Sequence, residues 1–271
     1  MVDLHCHVLP GVDDGPDRLE ISLKMLEVAA SQGVTAVCAT PHVDSWADVR
    51  TETLLQDRIR QLREAVATKG IPVEVHLGSE IYFGLGIENL RSYSFATLGG
   101  TDKYWLVEFS TEIFPAIVEN FVLRSMSWGR IPVLAHTERY SFLHHRPQYL
   151  KSIIKAGALI QVDAGCFTGM YGKRLLKRSH HLVASGLCHI IASDAHDVDK
   201  KPYRMKEAFQ VVSELLGSSE AELLFTRNPQ AILEGREVVF PKGKPQNQKK
   251  ESSEAIDSDF FEDDEVDGIY D

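Results

Sequence analysis

The sequence predicts an α/β fold, arranged as a barrel of seven strand–helix units that is one unit short of the eightfold TIM-like barrel. Two observations lead to this prediction. Short runs rich in valine and isoleucine alternate with longer amphipathic segments along residues 1–240. Histidine and acidic residues recur at the carboxyl ends of these runs, which is the end where such barrels carry their active sites. A doubly wound open sheet is the alternative, although residues 11–15 lack the glycine-rich motif expected after its first strand.

Each predicted strand is a short apolar run. The seven strands are predicted at Val2–His7, Thr35–Thr40, Val73–Glu80, Tyr104–Phe109, Ile131–His136, Ala158–Asp163 and Cys188–Ser193. Amphipathic helices are predicted between them. The first has Asp17 as its N-terminal cap, three residues before Glu20, and is closed by Gly33. The others are predicted at about Asp48–Lys69, Pro115–Trp128, Pro147–Lys155, Leu175–Ser185, Met205–Leu216 and Pro229–Leu233.

Composition and charge divide the chain into two parts. Residues 1–240 are predicted to form one domain, and residues 241–271 a disordered acidic tail with four lysines and ten acidic residues. The tail carries most of the net charge of −10. The mildly acidic body argues against nucleic-acid binding, because phosphate contacts need an excess of positive charge. No apolar run is long enough to cross a bilayer, and the start of the chain does not resemble a signal peptide, so we expect a cytoplasmic protein.

The candidate metal ligands follow six of the predicted strands, with one more in the first loop. They are His5, His7, Asp14, His42, Glu80, Glu108, His136, Asp194 and His196. Residues i and i+2 of a strand point the same way, so His5 and His7 can reach one ion while Cys6 points elsewhere. His76 has the same parity as Glu80 but lies about 13 Å further down the strand, too deep to share its ion.

The chemistry of this set indicates more than one metal ion. Nine groups are too many ligands for a single ion, so two or three ions are expected. Imidazoles and carboxylates without thiolates suit zinc, manganese or iron, and several carboxylates favour the harder ions. Three divalent ions would outweigh four carboxylates, and the resulting positive site would attract a phosphate dianion. The sequence therefore favours phosphoester chemistry.

Several short motifs carry a family resemblance. They are residues 3–7 (Asp-Leu-His-Cys-His), 9–15 (Leu-Pro-Gly-Val-Asp-Asp-Gly), 40–42 (Thr-Pro-His), 78–80 (Gly-Ser-Glu), 135–139 (Ala-His-Thr-Glu-Arg) and 193–196 (Ser-Asp-Ala-His). With them, residues 1 to about 235 resemble the CpsB/CapC-type manganese-dependent tyrosine-protein phosphatases of the PHP (polymerase and histidinol phosphatase) superfamily. The resemblance implies the distorted seven-stranded PHP barrel, with Mn²⁺ as cofactor and iron, zinc, cobalt and magnesium as alternatives.

The resemblance also implies how the site residues divide their roles. One ion would be held by His5, His7, Glu80 and Asp194, a second by Glu80, Glu108 and His136, and a third by Asp14, His42 and His196. Arg139 would grip the substrate phosphate, and Asp194 and His196 would take part in catalysis. The expected partner is an autophosphorylated bacterial tyrosine kinase that controls capsule or exopolysaccharide synthesis.

The chain departs from the family pattern after Asp194-Ala195-His196. Relatives often have asparagine next and an arginine shortly beyond, whereas this chain has Asp197 and then Lys200-Lys201-Pro202. A lysine can pair with phosphate as a point charge but lacks the bidentate fork of arginine. Lys201 is therefore a candidate substrate-binding residue. In the expected mechanism a hydroxide between two ions attacks phosphorus in line, while the third ion and Arg139 stabilise the equatorial oxygens.

Four other functions are alternatives to this one. A cysteine-based tyrosine phosphatase needs an arginine six residues after its nucleophile, and none follows Cys6, Cys38, Cys166 or Cys188 at that spacing. A small-molecule phosphatase of the histidinol-phosphate type would use nearly the same ligands. A metal-dependent nuclease fits the scaffold but not the acidic charge. A non-catalytic phosphotyrosine-binding regulator is the remaining alternative.

Some polar residues are expected to lie outside the site. Asp163 is either a supporting residue or a simple helix cap. The histidines without a second ligand nearby are expected on the surface or on helices: His144, His145, His180, His181 and His189.

Overall fold

The computed structural model describes residues 1–142 and 148–244, and in this part the chain forms nine strands, all paired in parallel. They are β1 Val2–Cys6, β2 Ala36–Ala39, β3 His42–Val43, β4 Glu74–Leu77, β5 Glu80–Tyr82, β6 Tyr104–Glu108, β7 Ile131–Leu134, β8 Leu159–Asp163 and β9 Ile190–Ala192. Three of them form a sheet of order β1-β2-β4, and six form a sheet of order β3-β5-β6-β7-β8-β9. The fold is therefore a mixed α/β fold with a curled parallel sheet.

One predicted strand, Val73–Glu80, is divided in the structure, and the predicted strand Thr35–Thr40 is followed by a short strand that was not predicted. Pro41, which has no N–H to donate, separates β2 from β3. Gly78 and Ser79 separate β4 from β5, where a Cβ on Gly78 would lie 3.0 Å from Sγ of Cys38. Pairing continues across both breaks, because Glu80 N donates to Pro41 O at 3.1 Å. Nine short strands thus replace the seven that were predicted.

Helices connect the strands as the alternation predicts. They are α1 Leu19–Ser31, α2 Val49–Lys69, α3 Pro115–Ser127, α4 Gln148–Lys155, α5 Ala164–Phe167, α6 Lys173–Ala184, α7 Met205–Leu216, α8 Ser218–Glu222 and α9 Asn228–Leu233. The prediction that Asp17 caps the first helix is wrong, since α1 starts one residue later than that cap allows and its N-cap, Arg18, makes no side-chain bond. Asp48 does cap α2, accepting from Arg50 N at 2.8 Å.

Side chains alternate between two apolar clusters on the faces of the sheet. Along β6, Tyr104 and Leu106 pack in one cluster with Leu233 of α9. Trp105 faces the other way and stacks on Phe121 of α3 with ring centroids 5.7 Å apart. Glu108 continues the alternation of Tyr104 and Leu106. The face of β6 that ends at Glu108 therefore lies against a packed apolar cluster.

The end of the domain is also described in part. Residues 241–244 pass close to the end of α6, where Lys244 N donates to Ala184 O at 2.8 Å. The remainder of the predicted acidic tail, residues 245–271, lies outside the described residues. Among the helices of residues 1–142 and 148–244, none is both long and apolar enough to cross a membrane.

Candidate metal centre

The structure brings all nine candidate ligands together at the carboxyl ends of the strands. Three groups have ligand atoms within 4.8 Å of one another: His5, His7, Glu80 and Asp194; His7, Asp14, His42 and His196; and His42, Glu80 and Glu108. His136 joins them through Nε2, which lies 3.1 Å from Glu80 and 3.3 Å from Glu108. Their role as ligands remains a prediction, but their convergence does not depend on any resemblance.

Glu80 lies at the centre of the cluster and is 1% exposed. Its Oε2 is 3.0 Å from Nε2 of His5, 3.2 Å from Nε2 of His7 and 3.2 Å from Nδ1 of His42. Burial alone would raise the pKa of Glu80, but the charge of His5 and hydrogen bonds from His136 and other imidazoles hold that pKa well below its ordinary value. One carboxylate therefore contacts donors from several strands.

His5 and His7 lie side by side as the strand geometry predicts, with their Nε2 atoms 3.2 Å apart. Each ring is held from its other nitrogen. Nδ1 of His5 is 3.2 Å from Oε1 of Gln161, and Nδ1 of His7 is 2.7 Å from Oδ2 of Asp13. Such partners orient the rings and fix which nitrogen faces the ion. Cys6 points away and places its Sγ 2.8 Å from the hydroxyl of Tyr203.

Two of the candidate ligands have unusual backbone conformations. His136 has a φ of 29° and Asp194 a φ of 52°. Residues other than glycine rarely adopt positive φ, and the strained ones cluster at functional sites. Asp194 is buried and places Oδ1 3.4 Å from Nε2 of His5. The backbone therefore has a positive φ at the candidate ligands that follow β7 and β9.

The third group lies at the open edge of the cluster. Oδ1 of Asp14 is 3.4 Å from Nε2 of His196 and 3.6 Å from Nε2 of His42. Asp14 is 65% exposed, so this edge faces solvent. The ring of His196 stacks on His7 with centroids 3.8 Å apart. Burial, with the charge of His7, lowers the pKa of His196 to about 4.

Two cations lie against Asp194 beside the cluster. Nη2 of Arg139 is 3.1 Å from Oδ2 of Asp194, and Nζ of Lys201 is 2.8 Å from the same oxygen. Arg139 also pairs with Asp163 and lies 5.1 Å over the ring of Tyr171. The two predicted substrate-binding residues therefore occupy one side of the site, and phosphate binding by them stays a prediction.

The donor set fits divalent cations. Imidazole and carboxylate donors without thiolates match ions of intermediate to hard character. Oε2 of Glu80 is buried and lies 3.0–3.2 Å from nitrogens of three imidazoles. Burial lowers the pKa of His7, but the hydrogen bonds that its ring donates to Asp13 and Glu80 outweigh burial and raise that pKa to about 10. Carboxylates that draw protons onto buried histidines in this way can be neutralised by metal ions instead.

The remaining predictions concern polar residues that are not expected to bind metal. His76 pairs with Glu74 at 3.2 Å and takes no part in the cluster. Asp163 makes no cap bond to α5 and instead holds Arg139. The expectation that His189 is a surface or helix residue is wrong, because it is fully buried just before β9. His180 lies on α6 as expected, whereas residues 144 and 145 lie outside the described part.

Sequence reasoning missed several residues that support the site. Asp13 and Gln161 orient the rings of His5 and His7, and Gln161 also accepts from His136 N at 2.8 Å. The sequence could have indicated Asp13 as a supporting residue, because it adjoins Asp14 in the first loop. The indication for Gln161 is weaker: its side chain points to the same face of β8 as that of Asp163. Glu138 is buried beside Asp163, and burial raises its pKa to about 7.

Comparisons with known proteins show which family the chain resembles. The family described as capsular polysaccharide synthesis, CpsB/CapC, matches residues 1–234. The chain is 31% identical to tyrosine-protein phosphatase YwqE of Bacillus subtilis over 251 residues, covering 92% of this chain and 98% of YwqE. It is 29% identical to tyrosine-protein phosphatase CpsB of Streptococcus pneumoniae over 239 residues, covering 86% and 98% of the two chains.

A solved structure is similar over the same length. It belongs to a crystallographic study of YwqE from B. subtilis and CpsB from S. pneumoniae, described as metal-dependent tyrosine phosphatases, and superposes with a TM-score of 0.81 at 30% identity. The match covers 92% of this chain and all of the other. With a family match over nearly the whole described body and a structural match of this extent, the chain belongs to the CpsB/CapC family.

Proposed function

We propose that the protein is a metal-dependent protein-tyrosine phosphatase whose substrate is an autophosphorylated bacterial tyrosine kinase that regulates capsule or exopolysaccharide synthesis. The observation that carries the proposal is the buried carboxylate of Glu80 among imidazoles from separate strands, with Arg139 beside it on Asp194. The names of the relatives support the reaction, and the CpsB/CapC family description supports the setting.

The proposed cofactor is Mn²⁺, with two or three ions in the site. His5, His7, Glu80 and Asp194 would hold one ion, Glu80, Glu108 and His136 a second, and Asp14, His42 and His196 a third. The first and third sets lie within close groups of ligand atoms, and Nε2 of His136 lies 3.1 Å from Glu80 and 3.3 Å from Glu108. His196, with a pKa of about 4, stays neutral at pH 7 and keeps a nitrogen lone pair for coordination.

The chain's own residues would bind and orient the phosphate. When bound, the ions supply Lewis acidity and lower the pKa of coordinated water. Arg139 offers a planar fork for two phosphate oxygens, and Lys201 adds a point charge. Asp163 and Tyr171 hold Arg139 in place. Because both cations already pair with Asp194, an arriving phosphate competes with that carboxylate for them.

The leaving group explains a preference for phosphotyrosine. A phenol has a pKa of about 10, so a departing phenolate needs less protonation than a departing serine alkoxide. The carboxylates and imidazoles of the described site would be taken up by metal ions or by ring orientation, so a leaving group that needs little protonation suits this site best. Aryl phosphates are therefore the expected substrates.

We also propose that the two sheets form the distorted seven-stranded barrel of the PHP superfamily. Hydrogen bonds from His7 N to Ala195 O and from Asp194 N to His5 O, both 2.9 Å, link the segments after β1 and β9 and support closure. We also propose that the protein is cytoplasmic, because the phosphorylated tail of its proposed kinase substrate would be in the cytoplasm.

The test combines metal analysis with parallel assays. Purified protein would be stripped of metal, reconstituted with Mn²⁺, and assayed on a phosphotyrosyl peptide, the matched phosphoseryl peptide and histidinol phosphate. We expect at least two metal equivalents and turnover of phosphotyrosine well above the other two. Preferred turnover of histidinol phosphate would make the protein a small-molecule phosphatase, and binding without turnover would make it a regulator.

A further inference from the structure

The three most exposed large hydrophobic side chains in the described part of the chain lie in loops that follow ligand-bearing strand ends. They are Leu85, 85% exposed, Trp46, 78% exposed, and Phe114, 73% exposed. We call these three residues the apolar rim. Exposed apolar side chains are common singly, but several grouped beside a functional site usually mark contact with a partner.

Each rim residue follows a strand end that carries a candidate ligand. Trp46 comes four residues after His42, Leu85 five after Glu80, and Phe114 six after Glu108. The three ligands form one of the groups with ligand atoms within 4.8 Å. The rim is therefore built from the loops that leave the mouth of the site.

Neighbouring loops of the rim are packed together. A Cβ on Gly84 would lie 2.7 Å from Oγ of Ser45, so the loop of Leu85 passes directly beside the loop of Trp46. Phe83 N donates to Glu108 O at 2.8 Å, and the ring of Phe83 stacks on Phe109 with centroids 4.7 Å apart. The loop of Leu85 is thereby joined on its other side to the segment that leads to Phe114.

A groove lies along α3, next to the loop that carries Phe114. It has a volume of about 380 Å³ and is lined by Phe83, Ile117 and Arg124 among others. Ile117 is one turn beyond Phe114, donating its N–H to Phe114 O at 2.9 Å, and is 41% exposed. The groove thus begins one helical turn from Phe114.

The charges of the loops that carry the apolar rim argue against two kinds of partner, an anionic lipid surface and a second copy of the chain. Residues 44–49, 83–87 and 109–114 contain Asp44, Asp48 and Glu112 and no lysine or arginine. An anionic lipid surface is recognised by clustered basic residues, so these loops are poorly suited to it. Two copies of the chain meeting at this face would also bring like charges together.

We propose that the apolar rim binds the polypeptide next to the phosphotyrosine and selects substrates with a large apolar side chain within about three residues of it. The inference rests on the proposed phosphatase function and adds a specificity determinant to it. Successive residues of an extended peptide advance about 3.3 Å each, so such side chains pass over the loops around the site. Apolar burial there would favour these peptides over ones with glycine at the same positions.

The first test needs only the wild-type, Mn²⁺-loaded full chain. Two phosphotyrosyl peptides that differ only in carrying leucine or glycine at the flanking positions would be compared with p-nitrophenyl phosphate. We expect kcat/KM for the leucine peptide to exceed that for the glycine peptide about tenfold, mainly through KM. Equal values for the two peptides would overturn the inference while leaving the phosphatase proposal intact. Inactivity on all three substrates would instead overturn the phosphatase proposal.

The second test places the effect on the rim. In W46A, L85A and F114A, the ratio of kcat/KM for the leucine peptide to that for p-nitrophenyl phosphate should fall about fivefold to tenfold, as for contact residues at an interface. L123A is the matched control, because Leu123 is 55% exposed on α3 outside the rim. An unchanged ratio in all three rim variants would overturn the inference. So would loss of self-association, or of binding to phosphatidylglycerol vesicles, as the sole effect of these substitutions.

Discussion

Nη2 of Arg139 donates to Oδ2 of Asp194 at 3.1 Å, which pairs the predicted phosphate-binding cation with a predicted metal ligand. Burial opposes the charge on Arg139, but Asp163 and Asp194 raise the pKa of its guanidinium well above the ordinary value. Arg139 is therefore charged whenever the site is assembled, and the substrate phosphate can exchange with Asp194 as its partner.

The first prediction concerns that guanidinium. In Arg139→Ala, kcat/KM for p-nitrophenyl phosphate should fall about 10²-fold to 10³-fold, because a preorganised donor to the developing charge is lost. Arg139→Lys should recover only part of the loss, since lysine keeps the charge without the fork. Metal content should match the wild type in both variants. Full activity in Arg139→Lys would contradict bidentate binding.

The second prediction concerns Asp13, which holds His7 from behind at 2.7 Å. In Asp13→Ala, affinity for Mn²⁺ should fall about 10-fold to 100-fold, because partners of ligating histidines contribute that much to metal binding. Asp17→Ala is a suitable control, as Asp17 is 76% exposed in the same loop. Titrating each metal-free variant with Mn²⁺ while monitoring its activity would measure the two affinities. Equal affinities in the two variants would mean that Asp13 does not orient the ligand.

The third prediction separates metal from thiol chemistry. All four cysteines are buried, and burial raises the pKa of Cys6 well above its ordinary value and that of Cys38 to about 12. Such thiols are poor nucleophiles at neutral pH. A chelator should abolish activity, Mn²⁺ should restore it, and iodoacetamide should have little effect on the folded enzyme. Inactivation by iodoacetamide with resistance to chelation would reverse this assignment.

The fourth prediction is a dependence of stability on pH that comes from His189. Burial lowers the pKa of His189 to about 4, against about 6.5 in an unfolded chain. As the pH falls below the unfolded value, the unfolded state takes up a proton that the folded state does not, so stability decreases until the folded pKa is reached. The contribution lost between pH 6.5 and 4 is on the order of 3 kcal/mol.

The variant that tests it is His189→Asn. The asparagine oxygen can accept from Ile160 N, as Nδ1 of His189 does at 3.2 Å, but it does not titrate. Urea unfolding at several pH values should show a flatter decline between pH 6.5 and 4 in the variant. The difference between the two proteins should be constant above pH 7. Parallel declines would show that the buried ring does not resist protonation.

The positions of the candidate ligands could be predicted from the sequence because strand ends are local signals. His5 and His7 illustrate this, since the two-residue period of a strand fixes that they face the same way. The second strand was predicted to end at Thr40, just before Pro41, and β3 was missed because it is only two residues long. The division at Gly78 depends on how closely that residue approaches Cys38, a tertiary contact that periodicity does not report.

Residues that act through another side chain were harder to predict. Gln161 lies on β8 in an apolar run, and only the assembled sheet brings its amide to His5 and to the backbone of His136. His189 was misplaced for a related reason. It follows a helix and precedes a buried strand, so its burial is determined by the neighbours Ile160 and Phe240 rather than by its own segment.

The positive φ angles of His136 and Asp194 set thermal stability against activity at the same two positions. A residue other than glycine in such a conformation costs about 1–3 kcal/mol. His136→Gly or Asp194→Gly would relax the backbone and at the same time delete a side chain that the site needs. The strain therefore cannot be removed without breaking the contacts of His136 with Glu80 and of Asp194 with Arg139.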